Sequence, residues 1–147
     1  MAKSMIDIFT MMKGKVIFVD TGALFAAANA KDKDHQKAKD FLTRLAEEKV
    51  ILLVTNFIIA ETYTLMLRKI GRDEAIEYVE KLRNTAEIER VSEEDENKAW
   101  QIILRYQDKD FSYVDATSFA VMERFGISDV FSFDEHFEQY SFNRLPE

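Results

Sequence analysis

Cysteine is absent from the 147 residues, proline occurs once and glycine four times. Without cysteine there is no disulfide, no thiolate nucleophile and no Cys-based zinc site, a pattern that fits a cytoplasmic protein. So few glycines and prolines cannot punctuate an all-β sandwich, which needs many tight turns. Histidine is scarce too: the two, His35 and His136, belong to no H-E-x-x-H or His-x-His pattern, which argues against a zinc hydrolase. Both read as surface or loop residues. No apolar run reaches the length of a membrane span, so a membrane is not an expected partner. No repeat or linker divides the chain. Residues 1–14 are Met-rich and lack a signal-peptide cleavage pattern. They read as a short N-terminal extension ahead of one domain over 15–147.

What is present is a large apolar fraction, 47%, beside 32% charged residues. That is enough to build one core without disulfide help. The formal charge of −7 argues against a plain nucleic-acid binder, which usually presents a basic surface.

Apolar runs and helical spacings alternate along the chain. Lys15-Val-Ile-Phe-Val-Asp20 and Val50-Ile-Leu-Leu-Val54 are short, β-branched and apolar, as buried strands are. Ala86 to Val91 and Asp129 to Phe133 read as a third and a fourth strand. Between them lie expected helices over 21–30, 34–49, 56–70, 73–84, from Ser92, and over 112–125, with a last short one opening at Asp134. Asn56 is an expected N-cap, Gly71 and Gly126 are expected terminators, and Ser92/Asp95 has the spacing of a capping box. Such alternation implies α/β architecture: a central, mainly parallel sheet flanked by helices on both faces.

Open parallel sheets bind ligands beyond the carboxyl ends of their strands. Asp20 ends the first strand and Asp134 follows the fourth, so parallel pairing puts both at that edge. Each alone is explained as a helix N-cap; two on one edge invite a functional reading. Glu61 has Phe57, Ile58, Thr64 and Leu65 at helical spacing, which places an acid on a largely apolar face, where it needs a partner or a cation. Asp115 opens a helix with almost no polar face and stands three residues after Ser112, another capping-box spacing. Four acids at one edge repel unless a cation neutralises them. Carboxylate oxygens select hard ions, Mg2+ or Mn2+. Such a site supports phosphodiester hydrolysis with no Ser, Cys or His nucleophile.

At these positions the chain resembles the PIN-domain nucleases, and within them the VapC-type toxins of toxin–antitoxin pairs. The matching segments are Val16-Ile-Phe-Val-Asp20-Thr-Gly-Ala-Leu, Ile59-Ala-Glu61-Thr-Tyr, Tyr113-Val-Asp115-Ala-Thr-Ser-Phe-Ala and Val130-Phe-Ser-Phe-Asp134-Glu-His-Phe. Residues 32–38, with His35, also resemble the family's loop into its second helix. The resemblance runs from about Lys15 to Phe137. It implies a PIN-like three-layer α/β/α fold and an endoribonuclease acting on single-stranded or structured RNA. Asp20, Asp115 and Asp134 would be ligands of Mg2+ or Mn2+. Glu61 would be a ligand or would orient the attacking water, and Thr21 and Thr117 would be polar neighbours that meet substrate. A homodimer and a small antitoxin partner are also implied.

Rival readings remain. Asp20-Thr21-Gly22 matches the D-T-G signature of aspartic proteases, but it runs into a helix-forming, alanine-rich stretch. A haloacid-dehalogenase-like phosphatase carries a second aspartate two residues after its nucleophile, where this chain has Gly22. A non-catalytic PIN-like module that binds RNA or protein is the third. Lys31, Lys33, Lys37, Arg68, Lys69 and Arg72 could meet phosphates, although a solvated helix surface accounts for most of them. Tyr63, Tyr113 and Phe133 read as core, and Trp100 as packing from an amphipathic helix.

Overall fold

A computed structural model describes residues 14–147; apart from Gly14, the N-terminal extension expected over 1–14 lies outside the described residues. The elements run β1 (Val16–Val19), α1 (Thr21–Ala28), α2 (His35–Glu47), β2 (Ile51–Thr55), α3 (Asn56–Lys69), α4 (Arg72–Thr85), β3 (Glu87–Glu89), α5 (Glu93–Arg105), α6 (Tyr113–Phe125), β4 (Asp129–Phe131), α7 (His136–Gln139) and β5 (Asn143–Leu145). All strand pairs are parallel, in the order β3-β2-β1-β4-β5. The architecture is the expected three-layer α/β/α sandwich.

The sheet's centre is apolar on both faces: Phe18, Val19, Leu53, Val54, Val130 and Phe131 are buried. That is the burial a parallel strand needs when helices cover both sides. On one side of β1 the chain winds to β2 and β3, on the other to β4 and β5. Strand order therefore reverses between β1 and β4, which opens a crevice at their carboxyl ends. α5 packs on α6, and α1 packs on α2 and α3.

Local signals explain most helix ends. Ser92 and Ser112 each close a capping box, with Asp95 and Asp115 respectively. Gly126 ends α6 at φ 68°, the left-handed region where a Cβ is costly. Asn56 corrects an expectation. Thr55 caps α3 by accepting from the Ile58 amide, while the Asn56 side chain accepts from the Val91 amide and ties the exit of β3 to α3. Gly71 ends α3 as expected: it follows the C-cap Ile70 at a positive φ of 128°, its amide donates to the Met66 carbonyl at 3.0 Å, and it also serves as the N-cap of α4. The strand β5 has no counterpart among the expected elements. Asn143-Arg-Leu145 has no apolar run, and it pairs only along β4 at the sheet edge.

Two aromatic expectations are corrected as well. Trp100 is 53% exposed and Tyr113 40% exposed, so neither is core. Phe133 is partly buried and packs against the core as expected, while its other side borders a cleft.

Candidate active site

Beyond the carboxyl ends of β1 and β4 lies a cleft of about 1160 Å³. Asp20, Glu61, Asp115 and Asp134 all line it. Four separate elements deliver them: the end of β1, the middle of α3, the first turn of α6 and the turn after β4.

Backbone register sets the first contact. Val19 pairs with Phe131, so the next residue on each strand, Asp20 and Ser132, are neighbours. The Asp20 amide donates to the Phe131 carbonyl at 3.0 Å. Asp20 Oδ1 accepts from the Thr21 amide at 2.9 Å, and Oδ2 accepts from the Ser132 hydroxyl at 3.0 Å. Ser132 Oγ in turn accepts from the Asp134 amide at 2.9 Å. One buried hydroxyl thus ties the Asp20 carboxylate to the backbone of Asp134.

A second set of bonds continues across the cleft. Asp134 Oδ1 accepts from the His136 amide at 2.9 Å, the Asx turn that opens α7. His136 Nδ1 lies 2.8 Å from Asp115 Oδ2 and 3.5 Å from Asp134 Oδ1. Asp115 Oδ2 also accepts from the Ser112 amide at 3.1 Å. Phe111 meets the His136 ring edge-on at 5.5 Å, which fixes its plane. Far from being a bland surface residue, His136 sits between two of the acids. Its neighbourhood is hidden in the sequence because a turn, not a periodic element, carries it back. His35 holds a local structural bond: its Nδ1 lies 2.9 Å from the Ala26 carbonyl.

The acids perturb one another. Burial raises the Asp20 carboxyl most, the charges of Asp115, Asp134 and Glu61 add to it, and the Ser132 bond only partly offsets them, leaving it at about 7. Burial pulls the His136 imidazole down, but its bond to Asp115 and the charges of Asp134, Asp115 and Asp110 more than reverse this and hold it above the usual value. Among the described residues, no Lys or Arg forms an ion pair with Asp20, Glu61, Asp115 or Asp134.

Two site expectations are corrected. Glu61 is exposed rather than buried on an apolar face. Its neighbours Phe57, Ala60, Thr64 and Leu65 are apolar or neutral because they form the cleft wall. Thr117 is fully buried and donates to the Val114 carbonyl at 2.9 Å, and it does not line the cleft. Two residues beyond Asp115 on a helix, it faces roughly the opposite way. Thr21 does line the cleft, buried, with the Thr62 hydroxyl 3.5 Å away.

The donor set suits a hard divalent cation. One atom each from Asp115, Asp134 and His136 lie within 4.8 Å of one another, and the charges of Asp115, Asp134 and Glu61 add to burial in raising the Asp20 carboxyl beside them.

Residues 17–143 match the PIN domain family, and the chain belongs to it. Within that family it is similar to the 23S rRNA-specific endonuclease VapC20 of Mycobacterium tuberculosis, at 34% identity over 128 residues, 86% of this chain and 95% of the relative. The crystal structure of that protein, described as a Sarcin-Ricin loop cleaving toxin, superposes with a TM-score of 0.77 over the same shares of each chain. Ribonuclease VapC26 of the same organism is 24% identical over 82% of this chain and 89% of its own. VapBC2 from Rickettsia felis, solved bound to a DNA fragment from its promoter, shares the fold at 11% identity and a TM-score of 0.68 over 88% of this chain and 96% of that one.

Proposed function

We propose that this protein is a divalent-metal-dependent endoribonuclease, the toxin of a type II toxin–antitoxin pair, acting on structured RNA in the cytoplasm. The observation that carries the reading is the convergence of Asp20, Asp115 and Asp134, with Glu61, in one cleft at the reversal point of a parallel sheet. The similarity to VapC20 supports it and makes the sarcin–ricin loop of 23S rRNA the first substrate to try.

Asp20, Asp115 and Asp134 would hold Mg2+ or Mn2+. When bound, the cation supplies positive charge for the scissile phosphate and makes water a better nucleophile. The chain's own residues do the rest. Ser132 ties the Asp20 carboxylate to the Asp134 backbone. Ser112 and His136 occupy Asp115 Oδ2, which leaves Oδ1 for the cation. Glu61 stands exposed at the cleft wall, able to orient water and take its proton. Thr21 closes the floor beside Asp20.

A small antitoxin that covers the cleft and a second copy of the chain are the expected protein partners. Exposed Trp100 and Leu104 on α5 offer an apolar face for the copy, and light scattering of the purified chain reads the stoichiometry.

The deciding experiment is cleavage of a 23S rRNA fragment with Mn2+ or Mg2+, with a chelator control and an Asp20→Asn control. Cleavage that survives both controls refutes the mechanism, and a protein that binds no divalent ion and cuts no RNA refutes the function.

A further inference from the structure

Beside the acid-lined cleft is a second hollow of about 890 Å³. The two share Lys33, Asp34 and Phe133, so they adjoin across these three residues. Their chemistry differs. The first has an acidic floor, whereas the second adds Lys37 and Arg144 to Lys33. Arg144 is committed: its Nε donates to Glu138 at 2.6 Å and its Nη1 to the Phe133 carbonyl at 2.8 Å. Lys33 and Lys37 are exposed, and among the described residues neither takes part in an ion pair. Of the acids around this hollow, Glu138 is held by Arg144, while Asp129 accepts from the neutral Asn143 amide and keeps its charge. Asp34, Asp129 and Glu147 thus moderate the two lysines, whose exposed ammonium groups reach past them into solvent.

A chain with a formal charge of −7 cannot gather a polyanion by its overall field. It needs local cations, and these must sit where the strand passes. We propose that the second hollow is the path of the RNA strand on one flank of the scissile phosphate. Lys33 at the junction and Lys37 beyond it each meet a backbone phosphate. This deepens the ribonuclease reading and rests on it. Phosphate contacts carry no sequence information, so the two lysines supply affinity and register while base recognition comes from elsewhere.

The test uses the full chain carrying Asp20→Asn, which prevents cleavage, and a fluorescein-labelled 23S rRNA hairpin that the wild type cuts. Fluorescence anisotropy over a series of salt concentrations gives the Kd and its salt slope. Lys33→Glu and Lys37→Glu should each weaken binding about 3- to 10-fold and flatten the salt slope by roughly 0.7 for every phosphate left without its lysine. Lys81→Glu, an exposed lysine on α4 away from both hollows, should leave both quantities at the parent values. Shortening the hairpin on the flank that fills the hollow should erase the difference between Lys37→Glu and its parent; shortening the other flank should not. Parent-like binding by both lysine variants overturns the proposal, as does an equal loss in Lys81→Glu. A wild type that neither binds nor cuts RNA removes the ribonuclease reading itself, and the proposal with it; cutting by the wild type with unaffected lysine variants removes the proposal alone.

Discussion

Asp95 and Asp115 begin from the same local design and end in opposite environments. Each is the third residue of a helix, each is buried, and each closes a capping box with a serine three residues earlier. Asp95 then meets Arg124, whose Nε and Nη2 reach its two oxygens at 3.0 Å each. Burial raises its carboxyl, but the Arg124 and Ser92 bonds outweigh this and hold it below the usual range. Asp115 meets no arginine. It faces His136 and, across the cleft, Asp134 and Asp20. The cap fixes where such an aspartate points; the residue opposite decides whether its charge is spent on the fold or left for a ligand.

The largest expected effect separates the pair by activity. Asp115→Asn should cut RNA cleavage by about a hundred-fold or more, ~3 kcal/mol in the barrier, while keeping the melting temperature near the parent's. Asp95→Asn should keep cleavage within a few-fold at a temperature where the fold is intact. Equal losses of activity would erase the distinction.

Stability should show the reverse order. Arg124→Met leaves Asp95 buried beside no cation. Because the Arg124 side chain is 39% exposed, water softens the penalty, and a loss of roughly 1–3 kcal/mol is expected in urea unfolding. Unchanged unfolding would mean that Asp95 needs no partner.

The two ends also respond to pH with opposite signs. Asp20, raised from 3.8 to about 7, holds a proton in the folded state that the unfolded chain lacks between those values. The metal-free protein should therefore lose stability as pH climbs from about 4 to about 7. Asp95, with a lowered carboxyl, stabilises above the ordinary aspartate value and loses that contribution as pH falls through its own. Melting curves of metal-free protein from pH 3 to 8 measure both. Asp20→Asn should flatten the upper slope, and added Mn2+ should reverse it by stabilising the ionised form. An unaltered upper slope in Asp20→Asn would locate the titration elsewhere.

The smallest expected effect concerns the caps. Ser92→Ala and Ser112→Ala each remove one cap and should cost about 1 kcal/mol. Only Ser112→Ala should also weaken Mn2+ binding in calorimetry, because only that cap aims a cleft carboxylate.

Asp20 and Asp134 are legible in the sequence because each follows an apolar run, and a parallel sheet brings such ends to one edge. Asp115 is legible through its serine. Ser132 is not: its importance comes from standing opposite Asp20 across the β1–β4 register, which no single segment displays. His136 escapes for a similar reason, since a turn aims it. Glu61 is placed correctly by a faulty argument: the apolar face that suggests burial is a cleft wall. Strand β5 is invisible because edge pairing, not hydrophobicity, makes it a strand. Periodicity reports what is buried within an element, and register and turns decide what meets between elements.

Among the described residues the middle strand of the sheet precedes the other four in the chain, and the neighbour that completes its crevice comes more than a hundred residues later. A nascent chain that has emerged only through α5 carries Asp20 and Glu61 but lacks both other acids, and β1 still has an open edge. The four-acid cleft is thus assembled late within residues 14–147. Premature termination before β4 yields a fragment that lacks Asp134 and the strand beside β1, so the cleft cannot close around its acids until β4 is in place.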